Sequence, residues 1–420
     1  MNRLDELIAE LCPDGVQFKR LWEVTTWDKR FNSVENTKQT KIIKYNYFLA
    51  NNLKPLITER GTIKILTTNI SNIYTTEELA GDKLSEGEVV AIPWGGNPNV
   101  QYYKGKFLTS DNRIATSSDT NILDNKYLYY VMQNLIVEIG SFYRGSGIKH
   151  PNMSKVLDLR IPIPPLYVQS EIVRILDNFT ELTTELTTEL TTRKKQYEHY
   201  MEQILNSKYN VSIKTFGEIF STVTDYVAAG SFAGIAENVS YKSEPDFAQL
   251  VRTMDIKSSF TKGSNVYVDE NAFKFLWRVN LNKESIIMPN IGVNCGEVYF
   301  VTPQDLPYDN NVLGPNAILL RSEEYNNKYL FYLLKTNTFQ RTLKIIISPG
   351  GQTKFNKTEL KKLKLSIPSL EEQNRIVELL DRFDTLCNDI NSGLPAEIEA
   401  RRKQYEYYRD KLLTFKEASA

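Results

Sequence analysis

Only two histidines, His150 and His199, and three cysteines, Cys12, Cys295 and Cys387, are available for reactive chemistry in 420 residues. The cysteines lie far apart without CxxC spacing, which argues against a zinc cluster or disulfide framework and fits a reducing compartment. HExxH metalloproteases and multi-histidine metal sites are excluded, and a Ser-His-Asp or Cys-His device would have to use His150 or His199. His150 reads as a loop residue, His199 as the flank of a helix beside tyrosines, and Cys295 as a core thiol among apolar strand residues. No GxGxxG follows a strand and no GxxxxGK[ST] is present. The amino-methyltransferase pattern Asn/Asp-Pro-Pro-aromatic is also missing. Its nearest string, Asn97-Pro98-Asn99, lacks the second proline and the aromatic residue. Catalysis by this chain alone is not expected.

What remains is chemistry of contact. Two glycine-containing loops, Tyr143-Arg144-Gly145-Ser146-Gly147-Ile148-Lys149-His150 and Ser348-Pro349-Gly350-Gly351-Gln352-Thr353-Lys354-Phe355, carry side chains of the kind that read base edges or clamp phosphates. The second continues into Lys357, Lys361, Lys362 and Lys364; Lys155 and Arg160 hold similar places after the first. Two turn clusters, Trp94–Asn99 and Pro289–Asn294, each follow a β-rich run. The candidate DNA contacts are Asn97, Arg113, Arg144, Ser146 and Lys149 in the first half, and Asn290, Asn294, Asn316, Gln352 and Lys354 in the second. The same residues also suit solvated loops with a lysine-rich edge strand that discourages aggregation. Lys plus Arg (51) equals Asp plus Glu (51), so no global field draws the chain to nucleic acid and any basic surface is local.

The elements that must hold these loops occur twice. IPPLYVQSEIVRILDNFTEL from Ile163 matches IPSLEEQNRIVELLDRFDTL from Ile367, and RKKQYEHY from Arg193 matches RRKQYEYY from Arg401. Upstream, NKYLYY from Asn125 matches NKYLFY from Asn327, and Phe18-Lys19 through Glu23-Val24 echoes Ile213-Lys214 through Glu218-Ile219. A unit of about 200 residues is therefore duplicated. Each copy reads as a mixed α/β part followed by a helical part. The first contains strands such as Gly61–Leu66 and Glu88–Ile92, the second Glu284–Met288 and Glu297–Val301, with helices near 125–139 and 327–343.

In the helical parts, steps of four and three from Ile172 visit Leu176, Phe179, Thr183, Leu186, Leu190, Arg193, Tyr197, Tyr200 and Ile204, a coiled-coil seam. The second copy follows the same walk from Ile376 through Leu380, Phe383, Cys387, Ile390 and Leu394, then needs an extra step of four to Ile398. That stutter falls at Asn391-Ser392-Gly393-Leu394-Pro395 and predicts a break, with Pro395 opening the second half-helix. Residues 180–191 repeat Thr-Glu-Leu-Thr three times. The tract is read either as slippage in a tolerant spacer helix or as a ruler between two globular parts. Apolar (41%) and charged (24%) fractions are those of a folded globular chain. No run approaches the ~18 apolar residues needed to span a bilayer, and the start, MNRLDELIAELCPDG, lacks the apolar core of a secretory signal. A cytoplasmic location is expected.

The pattern of a variable part, an Ile-Pro…Gln…Leu-Asp helix ending RKKQYE, and then both again resembles the DNA-specificity subunit of type I restriction–modification systems. Its carriers are Ile163-Pro164, Gln169 and Leu176-Asp177, then Ile367-Pro368, Gln373 and Leu380-Asp381, and RRKQYEYYRDKLL from Arg401. The resemblance covers essentially the whole chain and implies an α+β fold. Two mixed α/β target recognition domains would stand in pseudo-twofold repeat, separated by two long antiparallel coiled-coil helices. The implied boundaries are 1–160 for target recognition domain 1, 161–208 for spacer helix 1, 209–365 for domain 2 and 366–420 for spacer helix 2.

By the same resemblance, each domain would read one half of a bipartite asymmetric site on double-stranded DNA, and the twofold repeat itself suits half-sites about one helical turn (~10 bp) apart. The chain would then be a non-catalytic subunit of an adenine-N6 methyltransferase/endonuclease complex that scaffolds two methylation subunits and the restriction subunits. It would carry no cofactor itself, and AdoMet and ATP would belong to those partners. Partner docking is assigned to exposed helix faces around Tyr197, Tyr200, Tyr405 and Tyr408. The competing reading is a pseudo-symmetric coiled-coil adaptor that binds proteins or glycans. A fused enzyme with an unrecognised site is a further alternative, disfavoured by the missing cofactor motifs.

Overall fold

The computed structural model describes residues 3–206, 211–261, 263–348, 352–388 and 392–418. The chain divides into two compact units, Met1–Thr187 with Glu397–Ala420, and Thr188–Ala396. Each unit thus combines one α/β part with helical segments from both copies of the repeat.

The first unit contains β1 (Gln17–Arg20), β2 (Thr25–Trp27), β3 (Ile63–Leu66), β4 (Tyr74–Thr75), β5 (Ser85–Pro93), β6 (Gln101–Thr109), β7 (Asn112–Ser117), β8 (Tyr143–Arg144), β9 (His150–Pro151) and β10 (Arg160–Ile163). A six-stranded sheet runs β2-β7-β5-β6-β3-β4 and is antiparallel except where β3 meets β6. Strand β5 explains the apolar run at 89–92. Successive side chains point to opposite faces, so Val90 and Ile92 enter the main core while Val89 and Ala91 enter a smaller one with Phe107 and Ile114. A sheet buried on both faces needs a continuous rather than alternating pattern.

The second unit repeats the plan with β11 (Ser212–Thr215), β12 (Thr222–Asp225), β13 (Ala248–Val251), β14 (Tyr267–Val268), β15 (Ser285–Pro289), β16 (Tyr299–Val301), β17 (Asn311–Leu313), β18 (Ala317–Arg321) and β19 (Lys364–Ile367). Its sheets run β12-β18-β15-β16 and β14-β13-β17. Ile286 and Met288 of β15 face one core and Ile287 the other, as in β5. The strand pair β1–β10 in the first unit recurs as β11–β19 in the second.

The first spacer forms one continuous helix, Leu166–Leu205, of 40 residues. Its tetrad tract behaves as the sequence pattern requires, with Leu182, Leu186 and Leu190 half-buried and Glu181, Glu185 and Glu189 exposed. The threonine hydroxyls of the tract turn back on the helix, Thr180 Oγ1 donating to Leu176 O (2.9 Å) and Thr184 Oγ1 to Thr180 O (2.8 Å). A poor helix former is tolerated because its polar atom is satisfied locally. The second spacer is broken where the stutter lies, into Leu370–Asn388 and Gly393–Leu412. Ile390 and Asn391 lie outside the described residues. The second half starts two residues before Pro395, which sits in the first turn where no intrahelical N–H bond is needed.

Two details differ from the sequence reading. The seam does not pass through Tyr200: from Tyr197 it goes to Met201 and Leu205, all buried, while Tyr200 is exposed. Steps of four replace alternating fours and threes there because this stretch packs on the globular part of its unit, where the wider stripe of an ordinary surface helix is wanted. The helices near 125–139 and 327–343 are each two pieces, Asn125–Asn134 with Ile136–Ser141, and Asn327–Lys335 with Asn337–Ile346. Thr336 takes an extended conformation and caps the second piece, its side chain accepting from the Phe339 N–H.

Candidate nucleic-acid interface

The residues alike in both copies build joints, and the residues that differ sit on loops. In the first unit Gln169 is fully buried. Its Oε1 accepts from the Asp124 N–H (2.9 Å), and its Nε2 donates to Ile122 O and Pro164 O (both 2.8 Å). Gln373 repeats this, accepting from Asn326 N–H (3.0 Å) and donating to Pro368 O (2.9 Å). Asp124 and Asn326 cap the following helices in the same way, each accepting from two N–H groups. Asp177 then receives Lys126 Nζ (2.7 Å) and the Tyr130 hydroxyl (2.6 Å), as Asp381 receives Lys328 Nζ and the Tyr332 hydroxyl (both 2.7 Å). Burial first, then the bond to the aspartate, pushes both tyrosine hydroxyls well above their ordinary pKa, so they stay protonated donors. The shared motif therefore fastens each α/β part to its spacer helix.

The variable loops hang on an equally regular backbone plan. In the first unit the Trp94 N–H donates to Asp111 O (3.0 Å), the Gly96 N–H to Lys149 O (3.0 Å), and His150 Nδ1 lies 2.7 Å from Trp94 O. In the second the Asn290 N–H donates to Asn316 O (3.1 Å), the Gly292 N–H to Thr353 O (2.9 Å), and the Phe355 N–H to Asn290 O (3.1 Å). Gly96 (φ +107°) and Gly292 (φ +99°) share a left-handed conformation that side chains disfavour. Each unit thus gathers three segments: the turn after its central strand, the turn before the next antiparallel strand, and the basic glycine loop.

Nine of the ten candidate contacts lie in these clusters with polar groups at or near the surface. Asn97, Arg144, Ser146 and Lys149 are exposed, as are Asn316, Gln352 and Lys354, while Asn290 and Asn294 are half-buried. Asn290 Nδ2 donates to Phe355 O (3.3 Å), and Asn294 Oδ1 accepts from Lys257 Nζ (3.1 Å). Asn316 holds a left-handed turn at φ +68°, which asparagine tolerates. Pro349, Gly350 and Gly351 lie outside the described residues.

Arg113 is corrected. It is 5% exposed, bonded through Nη1 to Asp111 Oδ1 (2.9 Å) and Asn112 O (3.0 Å), and its guanidinium lies 3.8 Å from the centroid of the Trp94 ring. Its place on β7, opposite Ile92 of β5, puts it beneath the loops rather than on them. The docking assignment also changes. Tyr197 is buried against Phe383, Tyr408 stacks on Phe179 at 5.3 Å, and Tyr405 is half-buried beside Gln133; only Tyr200, 49% exposed, presents a free face. Tyr197, Tyr405 and Tyr408 are seam residues, so their aromatic area is already spent inside the chain.

Sequence reasoning missed Trp94 as a structural centre and Lys257 as a neighbour of Asn294. The aromatic residue directly before Gly95-Gly96 was the available signal for the first; nothing local marks the second. Cys295 is half-buried in the turn after β15, and burial pushes its thiol above the ordinary value. His199 is exposed on the spacer helix. No group of three or more His, Cys, Asp or Glu suited to a metal occurs among the described residues. Among those residues no helix is long and apolar enough to cross a membrane.

Residues 13–196 and 256–400 match the family described as the type I restriction modification DNA specificity domain. The chain belongs to that family. The specificity chain is 33% identical over 371 residues to the type I restriction enzyme EcoR124I/EcoR124II specificity subunit of Escherichia coli, spanning 84% of this chain and 87% of that one. It is 32% identical over 349 residues to the putative specificity subunit S.HindORF215P of Haemophilus influenzae, spanning 79% and 83%. Among solved structures, the S subunit of a type I restriction–modification system from M. genitalium superposes with a TM-score of 0.53 over 95% of this chain and 96% of that one at 18% identity. A chain from a structural study of type I complex assembly gives 0.57 at 12% identity, over 96% and 98%. At such identities the likeness is one of fold. The repeat is both a sequence duplication and a structural one, as the recurring β1–β10 and β11–β19 pairs show.

Proposed function

We propose that this chain is the non-catalytic subunit that chooses the DNA target of a type I restriction–modification complex, one loop cluster reading each half of a split, asymmetric site. The observation that carries the reading is the pair of clusters themselves. They share two equivalent backbone hydrogen bonds and the same glycine conformation, yet differ in side chain at the equivalent positions 94/290, 97/293 and 149/353. A framework held constant beneath variable polar tips is what two readers of different short sequences require. Asn97, Arg144, Ser146 and Lys149 serve one half-site; Asn290, Asn294, Asn316, Gln352 and Lys354 serve the other. In functional terms 1–160 and 209–365 act as the recognition domains, and 161–208 and 366–420 as the spacer helices that receive two methylation subunits and the restriction subunits. AdoMet, ATP and the transfer of a methyl group to adenine N6 belong to those partners.

The test is to express the chain with its methylation partner and sequence genomic DNA for methylated adenines. A split motif that appears only when the chain is present supports the reading. Methylation independent of the chain, or a continuous motif, overturns it.

A further inference from the structure

Arg113 is the most conspicuous polar group that the proposed contact surface leaves unused. It is 95% buried by its 5% exposure, sits on β7 at the base of the first unit's loops, and touches all that matters there. Its guanidinium covers the Trp94 ring at 3.8 Å, while Nη1 holds Asp111 Oδ1 and Asn112 O. The Nε atom is buried with no hydrogen-bond partner among the described residues. An unmatched buried N–H is a cost that persists only where the surroundings fix the group.

Trp94 is held by other contacts as well. Its N–H is bonded to Asp111 O, its carbonyl to His150 Nδ1, and its ring lies 5.1 Å from the His150 ring. Tyr143, which opens the glycine loop, donates its hydroxyl to Pro93 O (2.7 Å), the residue before Trp94. Arg113 on the Trp94 ring and His150 tilted against it therefore tie together the three segments of the first cluster. Among the described residues the second unit has no such arrangement: Ile318 stands opposite Met288, where Arg113 stands opposite Ile92, and Asn290 takes the place of Trp94. There the backbone bonds and the Asn290 amide do the tying.

We propose that Arg113 is a positioning residue for the first half-site. It touches no DNA, but through Trp94 it holds the 94–99 and 143–150 loops in reading geometry. The second half-site does not depend on it. A planar, delocalised cation can lie on an indole while its edge bonds Asp111; an ammonium cannot do both. The inference rests on the split-site reading above.

The experiment uses the full chain in complex with its methylation partner, carrying Arg113→Met, Arg113→Lys or Trp94→Leu. Methylated sites are sequenced, and amide exchange of 94–100 and 143–151 is followed. Each variant should speed exchange in both segments and relax the first half-site, roughly tenfold or more at an affected base pair, with the second half-site unchanged. Arg113→Lys should not rescue. Unchanged exchange and an unchanged motif in the Arg113 variants overturn the proposal, as does equal loss at both half-sites or full rescue by lysine. Should an Arg113 variant not fold, Trp94→Leu at its half-buried position carries the same test with the same outcomes. If the unsubstituted complex shows no split motif, the functional reading has failed; the exchange result still decides whether Arg113 ties the loops.

Discussion

Gln169 shows how much a single residue of the repeated motif supports. Its amide satisfies one N–H and two carbonyls at the junction of loop, strand end and spacer helix, all away from water. Leucine would fill similar volume and leave those groups unpaired. Gln169→Leu is therefore expected to lower stability by about 1–3 kcal/mol, read as a shift of the urea midpoint, with Gln373→Leu costing a similar amount in the other unit. The loop tips obey different physics. Lys149 and Gln352 are exposed, so Lys149→Ala and Gln352→Ala should leave the urea midpoint in place. In the complex with its methylation partner, each should relax discrimination at one position of its own half-site by about 1–3 kcal/mol if it contacts a base edge. Stability and the proposed reading are separable because one set of residues is buried in joints and the other is held above them.

At the scale of elements, the spacer helix ties into each unit by aromatic contacts. Phe179 stacks on Tyr408 with ring centroids 5.3 Å apart and planes 22° from parallel. A double-mutant cycle with Phe179→Ala and Tyr408→Ala should show a coupling of about 0.5–1.5 kcal/mol. Near the other end of the same helix, Glu202 caps the Asn337–Ile346 helix, accepting from the Asn337 N–H (2.7 Å), the Thr338 N–H (3.0 Å) and Thr338 Oγ1 (2.8 Å). Burial alone would raise its pKa. The bonds from Thr338, the two backbone N–H groups and Asn206 outweigh burial and hold the carboxyl below its ordinary value. A depressed folded-state pKa means this contribution is present above the unfolded value, about 4.3, and lost as pH falls through the lower native one. Urea midpoints measured downward from pH 5 should fall less steeply in Glu202→Gln than in the unsubstituted chain.

For the whole molecule, the equality of 51 basic and 51 acidic residues limits what the chain does alone. Affinity for DNA comes largely from neutralised phosphates, and this chain carries no net excess of cations to neutralise them. Partner subunits supplying most of those contacts would remove the difficulty. The isolated chain should bind its target feebly, near the ~10⁻⁶ M or weaker range of non-specific binding, with strong loss on raising salt. Gel shifts across a salt series test this, and nanomolar binding by the chain alone at physiological salt would contradict it.

The amino-acid sequence by itself determined the duplication, the spacer helices, the stutter in the second and the polar loops and turn clusters at equivalent places in each copy. All of these are written in periodicity and in residue identities that recur at fixed separation, and such signals are local or internally repeated. Tertiary structure decided which polar side chains face outward. Arg113 and Lys149 look alike as basic residues near turns, yet strand register buries one and leaves the other exposed. It also decided that Tyr197 is core while Tyr200, three positions on in the same helix, is surface. Both outcomes depend on what a neighbouring element brings to within a few ångströms, and no pattern along one segment records the neighbour.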